Sequence, residues 1–377
     1  MGTHRGVELS DLVLSSERLT LRPWRPEDAP AVHVAMQDRS MHEFLGLPDP
    51  YTLEAAAEFV GKLGDEGRGE GSGLGCAVVD TTTGRLVGSA ALRLPHGLRA
   101  DADIGYWVAP AAQGNRYAAE VTRTLAQWGF AHEVYRIEVH CDVRNLASVR
   151  TAQSAGFTFE GVRRDYLSTA AGRVDLATFG RTAQDSGEPI APAFAPLPPR
   201  GLSDGVLAMR RLEAADADAL AGADDAVAIE WGFTGQTHSP AEVYRSAVRG
   251  GLDWLVGTAA PFAMVDVASG RCAGSLQLRL AGPPNVGAIG YSVHPAFRGR
   301  GFTTRALRLL VPWAFDVAGF ARLELGAKQG NAASLTAAQR AGFKPDGVRE
   351  SRLRNPDGTF SDEVRYALVK PRLRSDG

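Results

Sequence analysis

Two short stretches place glycine and arginine just ahead of an apolar helical face: "QGNRYA" at 113–118 and "RGRGFT" at 298–303. The chemistry they suit is the holding of phosphate. The first turn of a helix leaves up to about four backbone N–H donors without partners, and the helix dipole adds to their pull on an anion. Glycines let that backbone come close to a ligand. The second stretch supplies Gly299 and Gly301, with Arg298 and Arg300 for charge. The first keeps Gly114 but has Arg116 where the second has Gly301. An arginine there crowds the phosphate path and also offers a guanidinium to pair with it. Charge can be supplied from elsewhere whereas a clash cannot be removed, so the first copy is expected to bind phosphate more weakly. Taken alone, either stretch could merely join a strand to a helix.

Other polar residues recur in the same order. Asn145 and Asn331 are each followed three residues on by serine, Ser148 and Ser334, the pattern of a helix N-cap and its first turn. Glu138 and Glu324 precede those asparagines on strand-like segments and are candidate bases, although a strand carboxylate is more often solvated or salt-bridged than catalytic. Glu120 has Arg305 as its counterpart in the second half, and His140 and His294 are unmatched, which favours a structural role for the two histidines.

These residues sit on a duplicated framework. "GRLVGSAALRL" from Gly84 matches "GRCAGSLQLRL" from Gly270, "IGYWVAP" from Ile104 matches "IGYSVHP" from Ile289, and "NLASVRTAQSAGF" from Asn145 matches "NAASLTAAQRAGF" from Asn331. The offset stays at 185–186 throughout, too long for a solenoid repeat, so one domain occurs twice. The expected organisation is a tail at 1–17, a first domain at 18–183, a Pro-rich linker at 184–205 and a second domain at 206–372. The linker's five prolines forbid helix and interior strand, though its Ile190, Phe194 and Leu197 would also allow it to pack on one domain. Within each half, alternating strands such as "RLTLRPW" come first. A hairpin follows, and then a helix with Ala118, Val121, Leu125 and Trp128, or Ala306, Leu310 and Trp313, on one core-facing stripe. The fold class is α/β (mixed α+β).

Composition narrows the function. With 377 residues, 44% hydrophobic, the chain can bury two cores, and a net charge of −2 gives no footprint for nucleic acid or an anionic membrane. Cys76, Cys141 and Cys272 are far apart and suggest neither disulfides nor a metal site. No signal-like start and no apolar run of about 18 residues occurs, so a soluble, cytoplasmic protein is expected.

The ordered motifs resemble the GNAT superfamily of acyl-CoA-dependent N-acyltransferases, in particular its RimJ/RimL (ribosomal-protein-alanine acetyltransferase) branch. The "IGYW" strand, the Gln/Arg-x-x-Gly-x-Ala type of turn, and Asn-x-x-Ser before a short helix closing in Gly-Phe carry the likeness over most of 18–182 and 206–370. Two tandem domains are implied, each a mostly antiparallel mixed sheet flanked by helices. The resemblance implies acetyl-CoA or another acyl-CoA as co-substrate, with its pyrophosphate at Gln113, Gly114, Asn115, Arg116, Tyr117 and Ala118 or at Arg298, Gly299, Arg300, Gly301, Phe302 and Thr303. It implies a bulge at Trp107–Val108 and Ser292–Val293 whose N–H groups bind the thioester carbonyl, pantetheine contacts from Asn145 and Asn331, and protonation of the leaving thiolate by Ser148 or Ser334. No metal is implied. The acceptor would be a small amine or the N-terminus of a peptide or protein. An α-amine of pKa about 8 is roughly 10% neutral at pH 7, against below about 0.1% for lysine, so it needs less help from a base. A longer acyl donor or an acyl-carrier protein, or a non-catalytic coenzyme A-binding scaffold, are the alternatives. The stretches that would select the acceptor, 41–49 and 228–236, differ between the halves, which argues against two equivalent sites.

Overall fold

The structure is a computed structural model and describes residues 12–66, 73–94, 101–169, 172–221, 223, 225–233, 236 and 238–371. The chain divides into two compact units, 1–191 and 192–377. The cut falls inside the Pro-rich stretch. Before it, Ile190 N–H donates to Gln153 O at 2.8 Å within the first unit. After it, Phe194 lies in the core of the second unit, and the indoles of Trp254 and Trp313 donate to Ala195 O and Pro196 O.

The first unit has strands β1 (Leu14–Ser15), β2 (Leu19–Arg22), β3 (Gly73–Asp80), β4 (Leu86–Arg93), β5 (Asp101–Val108), β6 (Arg136–Asp142), β7 (Thr158–Thr169) and β8 (Gly172–Thr182) in one sheet, ordered β1-β2-β3-β4-β5-β6-β8-β7. Its helices are α1 (Ala29–Met36), α2 (Arg39–Leu45), α3 (Leu53–Glu66), α4 (Tyr117–Ala131) and α5 (Leu146–Ser154). The second unit repeats this with β9 (Leu202–Ser203), β10 (Leu207–Arg211), β11 (Ala260–Asp266), β12 (Cys272–Leu280), β13 (Val286–Val293), β14 (Arg322–Lys328), β15 (Lys344–Arg354) and β16 (Phe360–Val369). Its helices are α6 (Ala217–Ala221), α7 (Ala226–Trp231), α8 (Pro240–Val256), α9 (Phe302–Pro312) and α10 (Ala332–Arg340). Each sheet is thus mixed and mostly antiparallel, as expected.

Local chemistry explains the elements. In β2, Leu19 and Leu21 are buried while their neighbours are half-buried, the period-2 pattern of a strand with one face on a core. The β3–β4 hairpin turns where Asp80 Oδ1 accepts from Thr82 N–H and Thr83 N–H, and Gly84 takes φ 67°. Val121, Leu125 and Trp128 bury one stripe of α4, and Ala306, Leu310 and Trp313 do so in the second unit. There α9 stops at Pro312 and a single π turn spans Trp313–Val317, because proline disrupts the regular ladder.

One feature of the topology matters most. Among the described residues, the only parallel pairing in each sheet is also its shortest central one. It covers Asp101–Asp103 against Arg136–Glu138 in the first unit and Val286–Ile289 against Arg322–Leu325 in the second. Beyond those residues β5 pairs only with β4 and β13 only with β12. The sheet parts there, and one edge of the strand is left without a ladder partner.

Candidate functional site

The parted edge supplies fixed donors. His294 N–H donates to Ala273 O on the β12 side, so by strand alternation the N–H groups of Tyr291 and Val293 face the gap toward β14. Ala109 N–H donating to Val87 O fixes the same phase in the first unit, turning Tyr106 and Val108 to the gap. Of the expected pairs Trp107–Val108 and Ser292–Val293, the N–H of Trp107 and Ser292 therefore points back into the sheet. The expected bulge does not occur: β5 and β13 keep an unbroken register with β4 and β12, and separation of the strands frees the donors without an inserted residue. Gly88 and Gly274 allow this close pairing, since a β-carbon at either would overlap the carbonyl of Trp107 or Ser292. Both were repeated in sequence and not singled out.

The two glycine-bearing turns lead from that edge into α4 and α9. Gly114 and Gly299 take φ 80° and 76°, and the residue before each helix is left-handed in both, Arg116 at φ 61° and Gly301 at φ 75°. Arg116 thus holds a conformation that costs a side chain about 1–2 kcal/mol. It is exposed, and a β-carbon at Gly301 would likewise meet open space, so the turn itself tolerates either residue. No side chain caps either helix, leaving its first N–H groups for a ligand. Tyr117 donates to Asp80 Oδ2 at 2.7 Å, Asn115 Nδ2 donates to Ala112 O, and Phe302 is buried, while Ala118 and Thr303 stay half-buried on the first turn. Arg300 lies over the Phe297 ring at 5.2 Å, as does Arg271 at 5.6 Å.

Charge at the two helix starts is reversed. Glu120, in the first turn of α4, is buried and accepts from Ser16 Oγ at 2.7 Å, Arg18 N–H at 2.9 Å and the Arg18 guanidinium at 2.7 and 2.9 Å. Burial pushes its carboxyl up, yet those bonds hold it below the ordinary range. At the matching place in α9, Arg305 donates to Asp204 Oδ2 at 2.6 Å. Glu120 is therefore a clamp between α4 and the β1–β2 turn. The second unit makes the same clamp with the signs exchanged and so carries a cation in the helix's first turn.

Asn145 and Asn331 are N-caps: their Oδ1 atoms accept from Ser148 N–H at 3.0 Å and Ser334 N–H at 3.1 Å. In the second unit Tyr291 of β13 reaches across to α10, with its hydroxyl 2.7 Å from Ser334 Oγ and either group able to donate. Burial raises the Tyr291 phenol above its ordinary value, opposed by the bond to Ser334. In the first unit Tyr106 Oη donates to the Ser148 carbonyl at 3.4 Å, and burial raises it strongly. The tyrosines went unnoticed because a strand tyrosine reads as core, although both halves repeat "IGY".

The expected bases are engaged. Glu138 accepts from Arg136 at 2.8 and 3.0 Å and meets His140 Nε2 at 3.0 Å; Glu324 accepts from Arg322 at 2.6 Å and also pairs with Arg365. Burial raises both carboxyls, but the arginines outweigh it and both lie below their ordinary value. Carboxylates so stabilised are weak proton acceptors. His140 has its second nitrogen 3.3 Å from Thr178 Oγ1, and burial lowers it. His294 accepts from Ala296 N–H, a local cap.

The face of the sheet opposite α4 and α9 differs between units. In the first, Arg93 lies over Gly105, and Trp107 is buried with Trp24, Met36, Met41 and Tyr51. In the second, Ser292 is exposed and a β-carbon on Gly290 would meet nothing. Beside that open floor stands α7. Arg298 donates to both oxygens of Asp225, its N-cap, at 2.7 and 2.8 Å, and to Val293 O at 3.1 Å. The bond to Arg298 brings the Asp225 carboxyl down to about 2. Arg298 is thus not the free cation expected beside a phosphate: a carboxylate already neutralises it. At the other end of α7 Lys328, a residue only 1% exposed, donates its ammonium to Glu230 O at 2.7 Å. Gln113 makes the corresponding bond to Val108 O and touches Met41 Sδ. No sequence pattern announced Asp225 or Lys328.

Among the described residues no helix is long and apolar enough to cross a membrane and no group of three His, Cys, Asp or Glu side chains could hold a metal. The three cysteines are free, and burial pushes the Cys76 and Cys141 thiols up to about 12. The acetyltransferase (GNAT) domain model matches residues 18–158 and again 207–344, together more than half of the chain. An uncharacterized N-acetyltransferase, p20, of Bacillus licheniformis is 25% identical over 44% of this chain and 93% of its own length. YoaA of Bacillus subtilis, also an uncharacterized N-acetyltransferase, is 28% identical over 41% of this chain and 88% of its own. The structure of Mycobacterium smegmatis RimJ in complex with CoA-disulfide is 25% identical, with TM-score 0.40, covering 44% of this chain and 82% of that one.

Proposed function

The chain belongs to the GNAT acetyltransferase family, and from that premise we propose that it transfers acetyl from acetyl-CoA to a primary amine, with the chemistry in the second unit. The observation that carries this reading is the parted β13–β14 edge lying between an uncapped α9 and the Tyr291–Ser334 hydroxyl pair. The first-turn N–H groups of α9, behind Gly299 and Gly301, suit a pyrophosphate. The N–H of Val293, held in the gap, suits a thioester oxygen as it gains charge, where one such donor is worth about 3 kcal/mol. Tyr291 and Ser334 hold a proton that can pass to the leaving thiolate, and the raised phenol keeps that proton at neutral pH. The amine attacks directly, with no covalent enzyme intermediate. The acceptor, a peptide N-terminus or a small amine, enters over Gly290 and Ser292.

For the first unit we propose weaker donor binding. Its turn keeps the conformation, yet Arg116 brings bulk to the ligand side. Its acceptor face is filled by Trp107 and Arg93. Thiol release from acetyl-CoA, followed with alanyl and seryl tripeptide amides, spermidine and cadaverine as acceptors, tests the reading. Tight donor binding with no thiol release for any of them would leave a coenzyme A-binding scaffold instead.

A further inference from the structure

We propose that Glu363 is the group in the second unit that binds the acceptor amine and takes its proton; this rests on the acetyl-transfer reading above. Glu363 lies on β16 opposite Lys328 of β14. Its side chain leans along the strand onto Gly326, where a β-carbon would overlap the carboxylate. Gly326 is the first residue of β14 past the last pair with β13, Ile289–Leu325. The carboxylate therefore stands at the apex of the gap. By alternation it is on the face of Glu324, Gly326 and Lys328, away from α9 and α10.

Three comparisons single it out. Glu324, the base expected from the sequence, has both oxygens occupied by arginines. Glu363 is only 12% exposed at its side chain, yet its one ion pair among the described residues is with Arg349 Nη1 at 3.8 Å, beyond hydrogen-bond reach. The Lys328 ammonium across the strand is turned to Glu230 O. In the first unit Leu176 faces Asp142 where Glu363 faces Lys328, and His140 occupies the place of Gly326 with both nitrogens engaged. Among the described residues, only the second unit has at this point a carboxylate outside hydrogen-bond reach of a cation, and it adjoins the open floor of Gly290 and Ser292.

The step balances without a further reactant. The neutral amine attacks the thioester carbonyl, forming the C–N bond and an ammonium nitrogen, and Glu363 takes one proton from that nitrogen. The C–S bond then breaks, the thiolate takes a proton from the Tyr291–Ser334 pair, and solvent carries the Glu363 proton back to that pair. Acid and base act from opposite faces of one sheet. The same carboxylate attracts the protonated amine, which gives one proton to solvent before it attacks, and this attraction favours cationic acceptors over neutral hydroxyl compounds.

The test compares wild type with Glu363→Gln and Glu363→Asp in the full chain, using the four amines named above. Calorimetry measures acetyl-CoA binding, and amine binding in the presence of coenzyme A; thiol release gives kcat. Glu363→Gln is expected to bind acetyl-CoA as wild type does, to bind amine at least several-fold more weakly, and to lower kcat roughly 100-fold or more, with Glu363→Asp recovering part of it. Glu363→Gln within threefold of wild type in kcat and in amine affinity would overturn the assignment while leaving acetyl transfer standing. Wild type releasing no thiol with any amine would overturn the transfer reading and this assignment with it. A Glu363→Gln protein that loses acetyl-CoA binding as well would mark the residue as structural and also refute the assignment.

Discussion

Tyr291→Phe removes one oxygen from the second unit, at the point where β13 meets α10. The hydroxyl it deletes is 2.7 Å from Ser334 Oγ. Its loss forfeits one hydrogen bond, worth about 1 kcal/mol net, and Ser334 sits in a first helical turn where its hydroxyl can rotate to another acceptor. Stability should therefore fall by no more than about 1 kcal/mol. Turnover should fall much further. Expelling an unprotonated thiolate forgoes general-acid catalysis, typically about 100-fold, or about 2.7 kcal/mol in the barrier. Ser334→Ala should have an effect of similar size. The double variant should be little worse than the poorer single, because the two hydroxyls serve one proton transfer. Burial raises the Tyr291 phenol, so the wild-type rate should show no alkaline loss from this group below about pH 10. Thiol release gives kcat and denaturant unfolding gives stability. A Tyr291→Phe enzyme within threefold of wild-type kcat, or two single effects that simply multiply, would refute the shared-proton reasoning.

Other consequences concern the clamps. Glu120→Ala should destabilise the first unit by about 2 kcal/mol, since a buried carboxylate with four bonds is lost while Arg18 regains water; Arg305→Ala should cost the second unit about 0.5–1 kcal/mol, as that pair is half-exposed. Tryptophan-monitored unfolding of the full chain reads both. Because the Glu120 carboxyl lies below its unfolded value, its contribution is present above about pH 4.5 and lost as pH falls through the folded value, and Glu120→Gln should flatten that acid limb. Asp225→Asn should release Arg298 and loosen α7, weakening acceptor binding several-fold and tightening acetyl-CoA by roughly two- to fivefold; calorimetry with each ligand checks both directions. Lys328→Met should speed hydrogen exchange in α7 by leaving Glu230 O without its donor, an effect absent if the helix is held by packing alone.

The duplication, the strand order within each half and the helical stripes were legible because they rest on periodicity and repetition. "IGYWV" beside "IGYSV" locates the strand that parts, and Asn145 and Asn331 read correctly as caps. What was not legible depends on contacts between residues far apart in the chain. The Arg298–Asp225 pair joins residues 73 apart and Lys328–Glu230 joins residues 98 apart, and neither has a local signature. Glu138 and Glu324 looked like candidate bases because sequence reports the carboxylate and not the arginines that surround it. Arg116 looked like damage to a glycine turn, yet it adopts the same left-handed geometry as Gly301. The difference between the turns therefore lies in the side chain presented to the ligand.

The central claim is that the two halves divide their duties, with the donor held chiefly by the turn before α9. Calorimetric titration of the full chain with acetyl-CoA tests it most directly, comparing wild type, Gly301→Arg and Arg116→Gly. Gly301→Arg should remain folded, since Arg116 already occupies the same conformation in the first unit and a β-carbon at 301 meets open space. The account predicts one dominant site in wild type, its loss in Gly301→Arg, and strengthened first-unit binding in Arg116→Gly. Unchanged stoichiometry and affinity in Gly301→Arg would contradict it.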